Sequence, residues 1–114
     1  TGDGIAACVR AGAVTKDMEF VQFHPTALAV GEDNGTMFLV SEAVRGEGGI
    51  LKNKYNEAFM ADKHPLRDLA PRDIVARHIL AELDKTDEEY LYLDVSCMDE
   101  EFFSKRFPKQ IASI

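Results

Sequence analysis

The sequence has no tryptophan, two cysteines and four prolines, and it has few cations for its acids. It also lacks any apolar run near the ~20 residues of a membrane helix. Cys8 and Cys97 stand in no CxxC pair and at no metal-ligand spacing, which argues against a disulfide framework and a zinc site. Both are expected to be buried structural thiols, with no metal. Thirteen Lys and Arg against 20 Asp and Glu give a net charge of −7. That balance argues against nucleic acid, whose phosphates require a basic face. No basic-then-apolar leader opens the chain, so a cytoplasmic location away from membranes is expected. With cations this scarce, the placement of each arginine matters.

What is present is ordinary for a globular protein: 46% hydrophobic and 29% charged residues. The 114 residues suffice for one compact domain burying roughly two-thirds of its unfolded surface. The first residue is Thr1, inside the glycine motif Thr1-Gly2-Asp3-Gly4, and the last five residues are amphipathic without a Gly or Pro stop. Those ends suggest a piece of a larger protein.

Small residues dominate 4–13, with Ile5, Cys8, Val9 and Gly12 on one helical face and Asp3 as the expected N-cap. Alternation over 18–23 predicts a strand that Pro25 stops. Residues 31–36 form a polar turn cluster. A short strand is expected at 50–53 and a short apolar piece at Phe59-Met60. The best helix starts at Ala70-Pro71-Arg72-Asp73, with Val75, Ile79 and Leu83 as its buried stripe. A buried strand at 90–95 follows, then an acid-capped helix over 99–107 ended by Pro108. Mixed short elements of this kind give an α+β fold class.

Four groups could carry chemistry. Arg72 continues the apolar stripe at a helix start, where free N–H groups and the dipole's positive end favour an anion; the plainer reading is a snorkelling surface arginine. Arg77 falls off the stripe. His24, between Phe23 and Pro25, has a fixed direction and could donate to a carboxylate, although such histidines are more often structural. His64 and His78 have weaker cases, and His78 is expected at the surface. Ser41-Glu42-Ala43-Val44-Arg45-Gly46-Glu47-Gly48-Gly49 is the densest constellation. There Glu42 and Arg45 are spaced for a helix-neighbour ion pair. The glycines after them allow a ligand or another backbone close approach. Thr1-Gly2-Asp3-Gly4 suits phosphate or ribose contact, but GxGxxG is absent, so other segments must hold most of any dinucleotide.

In this order TGDGIAACVRAGA, DMEFVQFHPTAL, SEAVRGEGG followed by ILKN, and LAPRDIVAR resemble the fumarate reductase/succinate dehydrogenase flavoprotein family. The likeness runs from Thr1 to about Leu83, and more weakly through Tyr92-Leu93-Asp94 and Phe107-Pro108. Within that family it is nearer to the L-aspartate-oxidising branch. Val44 precedes Arg45 where succinate-oxidising and fumarate-reducing members typically carry Cys, and Ala70–Arg77 reads as that branch's form. One departure is Asn56-Glu57-Ala58-Phe59-Met60, where the family usually has Gly-x-Arg-Phe-Met.

The resemblance implies a two-domain FAD oxidoreductase, with residues 1–16 ending the FAD-binding domain and 17–114 forming a truncated substrate-capping domain. It implies that Asp3 contacts FAD, that His24 holds a substrate carboxylate, and that Ser41 and Glu42 meet the substrate. Arg45 would serve proton delivery and Arg72 would be the catalytic arginine. The reaction implied is oxidation of L-aspartate to iminoaspartate for NAD biosynthesis, with oxygen or fumarate reoxidising the flavin. Since arginine stays protonated, clamping a dicarboxylate is the part of Arg72's role that physical chemistry supports unaided. FAD is expected in the full-length protein but not to be retained by this segment. Expected partners are the dicarboxylate (aspartate, fumarate or succinate), the remaining FAD domain and quinolinate synthase. A fumarate reductase/succinate dehydrogenase subunit, or a non-catalytic dicarboxylate-binding domain, are the alternatives.

Overall fold

Sequence-local signals set the helix ends, and packing sets almost everything else. The computed structural model describes residues 2–29 and 37–111, so the expected turn cluster at 31–36 lies outside it. Helix α1 spans Asp3–Arg10, α2 Glu42–Gly46, α3 Arg72–Thr86, α4 Glu100–Arg106 and α5 Pro108–Ile111. Strands β1 (Ile50–Lys52) and β2 (Tyr92–Asp94) pair antiparallel, with Leu51 opposite Leu93. A 3₁₀ turn at Arg67–Leu69 leads into α3. The result is a small mixed helix/strand fold around a two-stranded sheet.

Two apolar clusters hold these elements. Leu51, Phe59, Met60, Ala70 and Val75 form one, under α3. Val40, Val44 and Phe107 form the other, between α2 and α4. Leu93 packs against both, so the sheet joins them. Phe59-Met60, expected only as a short apolar piece, is fully part of the first cluster.

Helix α3 departs from its expected stripe. Val75 is buried, Ile79 and Leu83 are only half-buried, and the buried positions nearer its end are Glu82 and Thr86. Asn53 explains the polar burial. Its Nδ2 donates to Glu82 Oε1 at 2.8 Å and to Glu57 Oε2 at 2.9 Å. Its Oδ1 accepts from the N–H groups of Tyr55 and Glu57, each at 3.0 Å. A primary amide has four such valences, and all four are filled. The same turn places Asn56 at φ +62°, a left-handed backbone that asparagine tolerates and glycine prefers. Ala58, where the family usually has Arg, is exposed.

Several local expectations fail for identifiable reasons. Gly2, not Asp3, caps α1, and Asp3 lies in its first turn. Residues 18–23 form no strand: no described segment pairs with them, and Phe20, Val21 and Phe23 stay 76–77% exposed. Extended pairing comes after Pro25 instead, where Ala27 bridges Leu39. Strand β2 is shorter than 90–95, and its residues are exposed or half-buried instead of buried. Pro108 does end α4, but it also starts α5, since proline suits a first helical turn. Cys8 and Cys97 are both exposed; α1 buries none of its residues, and Cys97 sits in a surface turn with Sγ 3.2 Å from the Gly48 carbonyl.

The chain is also more open than a self-sufficient domain. Its radius of gyration is 17.0 Å, against about 13 Å for a compact chain of this length. Its accessible surface is 8496 Å², against about 6,200 Å² for a compact monomer of that mass. Only about half of the unfolded surface is buried, not the expected two-thirds. Exposed apolar side chains of this density require cover. The isolated segment is therefore expected to self-associate and to bind a hydrophobic dye; a dye-silent monomer in sedimentation would contradict this.

Candidate functional site

Helix α2 begins where Ser41 Oγ accepts the Ala43 N–H at 3.2 Å, the N-cap arrangement that serine supplies. Its hydroxyl is thus engaged with the backbone. The cap fixes Glu42 in the first turn and carries Arg45 inward on the last. The glycines that follow serve the chain itself. A Cβ at Gly49 would lie 2.9 Å from the Val44 carbonyl, and one at Gly48, at φ +111°, would meet Cys97 Sγ at 3.1 Å. Close approach here is by neighbouring backbone and side chain, the second of the two options that the sequence left open.

Glu42 does not pair with Arg45. Its Oε2 accepts from Arg72 Nε at 2.6 Å, across from α2 to the start of α3. Helical spacing allowed the closer pair, but Arg45 is 2% exposed and turns into the interior, toward the 3₁₀ turn. There its Nη1 donates to the Asp68 carbonyl, while Nε and Nη2 are buried with no partner among the described residues. Arg72 is neither buried nor merely snorkelling. Its side chain is 38% exposed, and Nη1 also reaches Gln22 Oε1 at 3.3 Å. A cation at a helix N-terminus opposes the dipole, so an anion beside it is doubly favoured. Glu42 supplies that anion. Arg77 pairs with Asp73 on the surface of α3, as its place off the stripe implied.

His24 is half-buried, with Nδ1 2.8 Å from the Thr26 carbonyl oxygen. An acceptor there requires Nδ1 to carry the proton and leaves Nε2 as the outward nitrogen. Thr26 is itself buried and donates from Oγ1 to the Val40 carbonyl at 3.1 Å, so His24 is tied to the segment that leads into α2. His64 takes a turn role, accepting the Leu66 N–H at 3.1 Å. His78 is half-buried on α3 instead of solvent-facing.

These elements converge electrostatically on Glu42. The Arg72 hydrogen bond holds its carboxyl below the ordinary 4.5; burial opposes this, and the charges of Arg72, Arg45 and His24 add to it. Burial lowers the pKa of Arg45, while Glu42 and Asp68 raise it and Arg72 lowers it. The sign for stability follows from a depressed carboxylate. The Glu42–Arg72 pair contributes above the ordinary value and is lost as pH falls through the lowered one. A carbon-detected NMR titration of the Glu42 carboxyl is expected to give a midpoint below 4.5, moving upward in Arg72→Leu. An unmoved midpoint would show that another group holds it.

Beside the pair, Gln22, Phe23, His24, Pro25, Asp73 and Ile79 line part of a mainly apolar cavity of about 440 Å³. Structure thus gathers His24, Glu42, Arg45 and Arg72, with Ser41 as the cap that sets Glu42. Asp3 is in the first turn of α1. Two participants escaped the sequence reading. Gln22 stands two residues before His24, the spacing that puts side chains on one face of an extended segment, so the signal existed. Asp68 carried no such signal, because its part is played by a main-chain carbonyl.

Residues 1–114 match the family described as FAD binding domain. The chain belongs to that family. Relatives of the FAD-binding domain segment include the L-aspartate oxidase of Neisseria meningitidis, 51% identical over 108 residues, covering 95% of this chain and 22% of that protein. The L-aspartate oxidase of Halobacterium salinarum is 52% identical over 108 residues, 95% of this chain and 19% of its own. That of Streptomyces coelicolor is 46% identical over 114 residues, 99% and 20%. The chain therefore spans about a fifth of the length of these curated relatives.

Family membership implies FAD, and residues 2–4 fit one edge of it. Gly2 sits at φ +85°, and a Cβ at Gly2 or Gly4 would meet nothing within 4 Å, so a ligand can reach the backbone at the start of α1. With no GxGxxG in the sequence, this FAD-binding domain segment offers a single edge and not a whole cradle. No helix among the described residues is long and apolar enough to cross a membrane.

Proposed function

We propose that this segment forms the substrate-side wall of the active site in an FAD-dependent L-aspartate oxidase. Residues 1–16 then end the portion that cradles FAD, and 17–114 form most of a cap over the substrate. The observation that carries the reading is the 2.6 Å contact between Glu42 and Arg72. It joins two helices around one carboxylate on which the charges of Arg45 and His24 also act. The names of the relatives support the same substrate.

Bound FAD would supply the hydride acceptor. Arg72 clamps a substrate carboxylate with guanidinium hydrogens beyond those given to Glu42 and Gln22. As the doubly protonated imidazolium, His24 donates from Nε2 to a substrate carboxylate while its Nδ1–H is held by the Thr26 carbonyl. Oxidation of the amine removes a hydride from Cα and a proton from nitrogen, leaving iminoaspartate. Glu42 is the carboxylate placed to pass that proton, and the Arg72 hydrogen bond keeps it ionised. Asp3 lies at the flavin edge. Iminoaspartate would be handed on to NAD synthesis, with quinolinate synthase as the enzyme that takes it, in the cytoplasm.

The test is substrate choice in the full-length protein. Peroxide release with L-aspartate but not with succinate is expected. Succinate oxidation without aspartate oxidation would place the protein among succinate/fumarate enzymes. A protein that binds either compound with no flavin reduction would be a dicarboxylate-binding domain only.

A further inference from the structure

Arg45 is nearly inaccessible, yet its one hydrogen bond among the described residues goes to the main-chain carbonyl of Asp68. Asp68 lies in the 3₁₀ turn four residues before Arg72. Its carboxylate is spent elsewhere: Oδ1 accepts the Leu51 N–H at 2.8 Å, at the start of the sheet. One residue therefore binds α2 through its carbonyl and β1 through its side chain. At the same time it sets where the turn delivers α3. Those are the elements whose spacing decides whether Glu42 and Arg72 touch. A carboxylate–amide bond of this kind resists rotation of the turn, since the carbonyl and the side chain of the same residue are fixed in different directions.

We propose that Asp68 is a positioning residue that sets the Glu42–Arg72 contact by strapping the 3₁₀ turn to both α2 and β1. It touches neither substrate nor flavin. The strap works by hydrogen-bond geometry, so asparagine, which keeps the oxygen that accepts the Leu51 N–H, should replace it and alanine should not.

The kinetic part of the test rests on the aspartate-oxidising reading; the geometric part does not. In the full-length flavoprotein, crystal structures of Asp68→Ala and Asp68→Asn are compared with wild type. Asp68→Ala is expected to lengthen the Glu42–Arg72 separation beyond hydrogen-bonding range, and Asp68→Asn to keep it. With L-aspartate, kcat per bound flavin is expected to fall about tenfold in Asp68→Ala and to recover to within about twofold in Asp68→Asn, at unchanged flavin content. A Glu42–Arg72 contact that persists in Asp68→Ala overturns the proposal. So does a loss of activity that merely follows lost flavin and lowered melting temperature. Asp68→Asn as impaired as alanine also overturns it, because charge and not geometry would then be at work. If wild type does not oxidise aspartate, the functional reading fails and the structural comparison still decides the role of Asp68.

Discussion

Replacing Arg72 by leucine in the full-length protein is expected to lower turnover of L-aspartate by about a thousandfold while leaving flavin bound. Removing a single preorganised donor from a charge-stabilising site typically costs 10²–10³ in rate. Arg72 supplies more than one donor, so the upper figure applies. The leucine also strands Glu42, whose depressed pKa depends first on the Arg72 hydrogen bond. Its carboxyl then takes up protons at higher pH and loses the hydrogen bond that fixes its direction. Flavin content should not change, because Arg72 sits on α3 and the glycines suited to FAD lie at the start of α1. Arg72→Lys keeps charge but not the fork that binds Glu42 and Gln22 together, and should recover only part of the rate. Near-normal turnover in Arg72→Leu would mean that the arginine only decorates the helix start.

The largest effect on stability is expected at Asn53. It is 1% exposed and makes four hydrogen bonds, two to backbone N–H groups and two to carboxylates. Alanine would leave the Tyr55 and Glu57 N–H groups without this acceptor and deprive buried Glu82 of the hydrogen bond that most lowers its pKa. A loss of about 3 kcal/mol follows from the cost of orphaned buried groups. Aspartate should be worse, since it turns the donor edge into oxygen facing Glu57 and Glu82. Denaturant unfolding of the full-length protein measures both. A cost under about 1 kcal/mol for alanine would show that water replaces the amide.

How much of this was legible in the sequence depended on range. Local signals were readable: Asp99 caps α4 by a side chain that accepts that helix's own N–H, and Pro71 precedes α3. The side chains that converge electrostatically on Glu42 were readable too, because His24, Glu42, Arg45 and Arg72 sit in distinctive local company. Their pairing was not. Glu42 and Arg45 have the right helical spacing, but Arg45 turns into the interior and Glu42 meets a residue 30 positions away. Periodicity marks a face; it does not say which neighbour will occupy it. The same limit hid the Asn53–Glu82 hub, where two polar residues 29 positions apart satisfy each other inside an otherwise apolar stripe. Residues 18–23 fail in the other direction. Their pattern is strand-like, but a strand needs a partner, and none is among the described residues.

The claim that His24, Glu42 and Arg72 together meet one substrate is tested most directly by a crystal structure of the full-length flavoprotein with a bound dicarboxylate. Carboxylate oxygens are expected within hydrogen-bonding distance of His24 Nε2 and of the Arg72 guanidinium, with Glu42 still on Arg72 Nε. A dicarboxylate bound elsewhere, with His24 and Arg72 facing only solvent or protein, would contradict it.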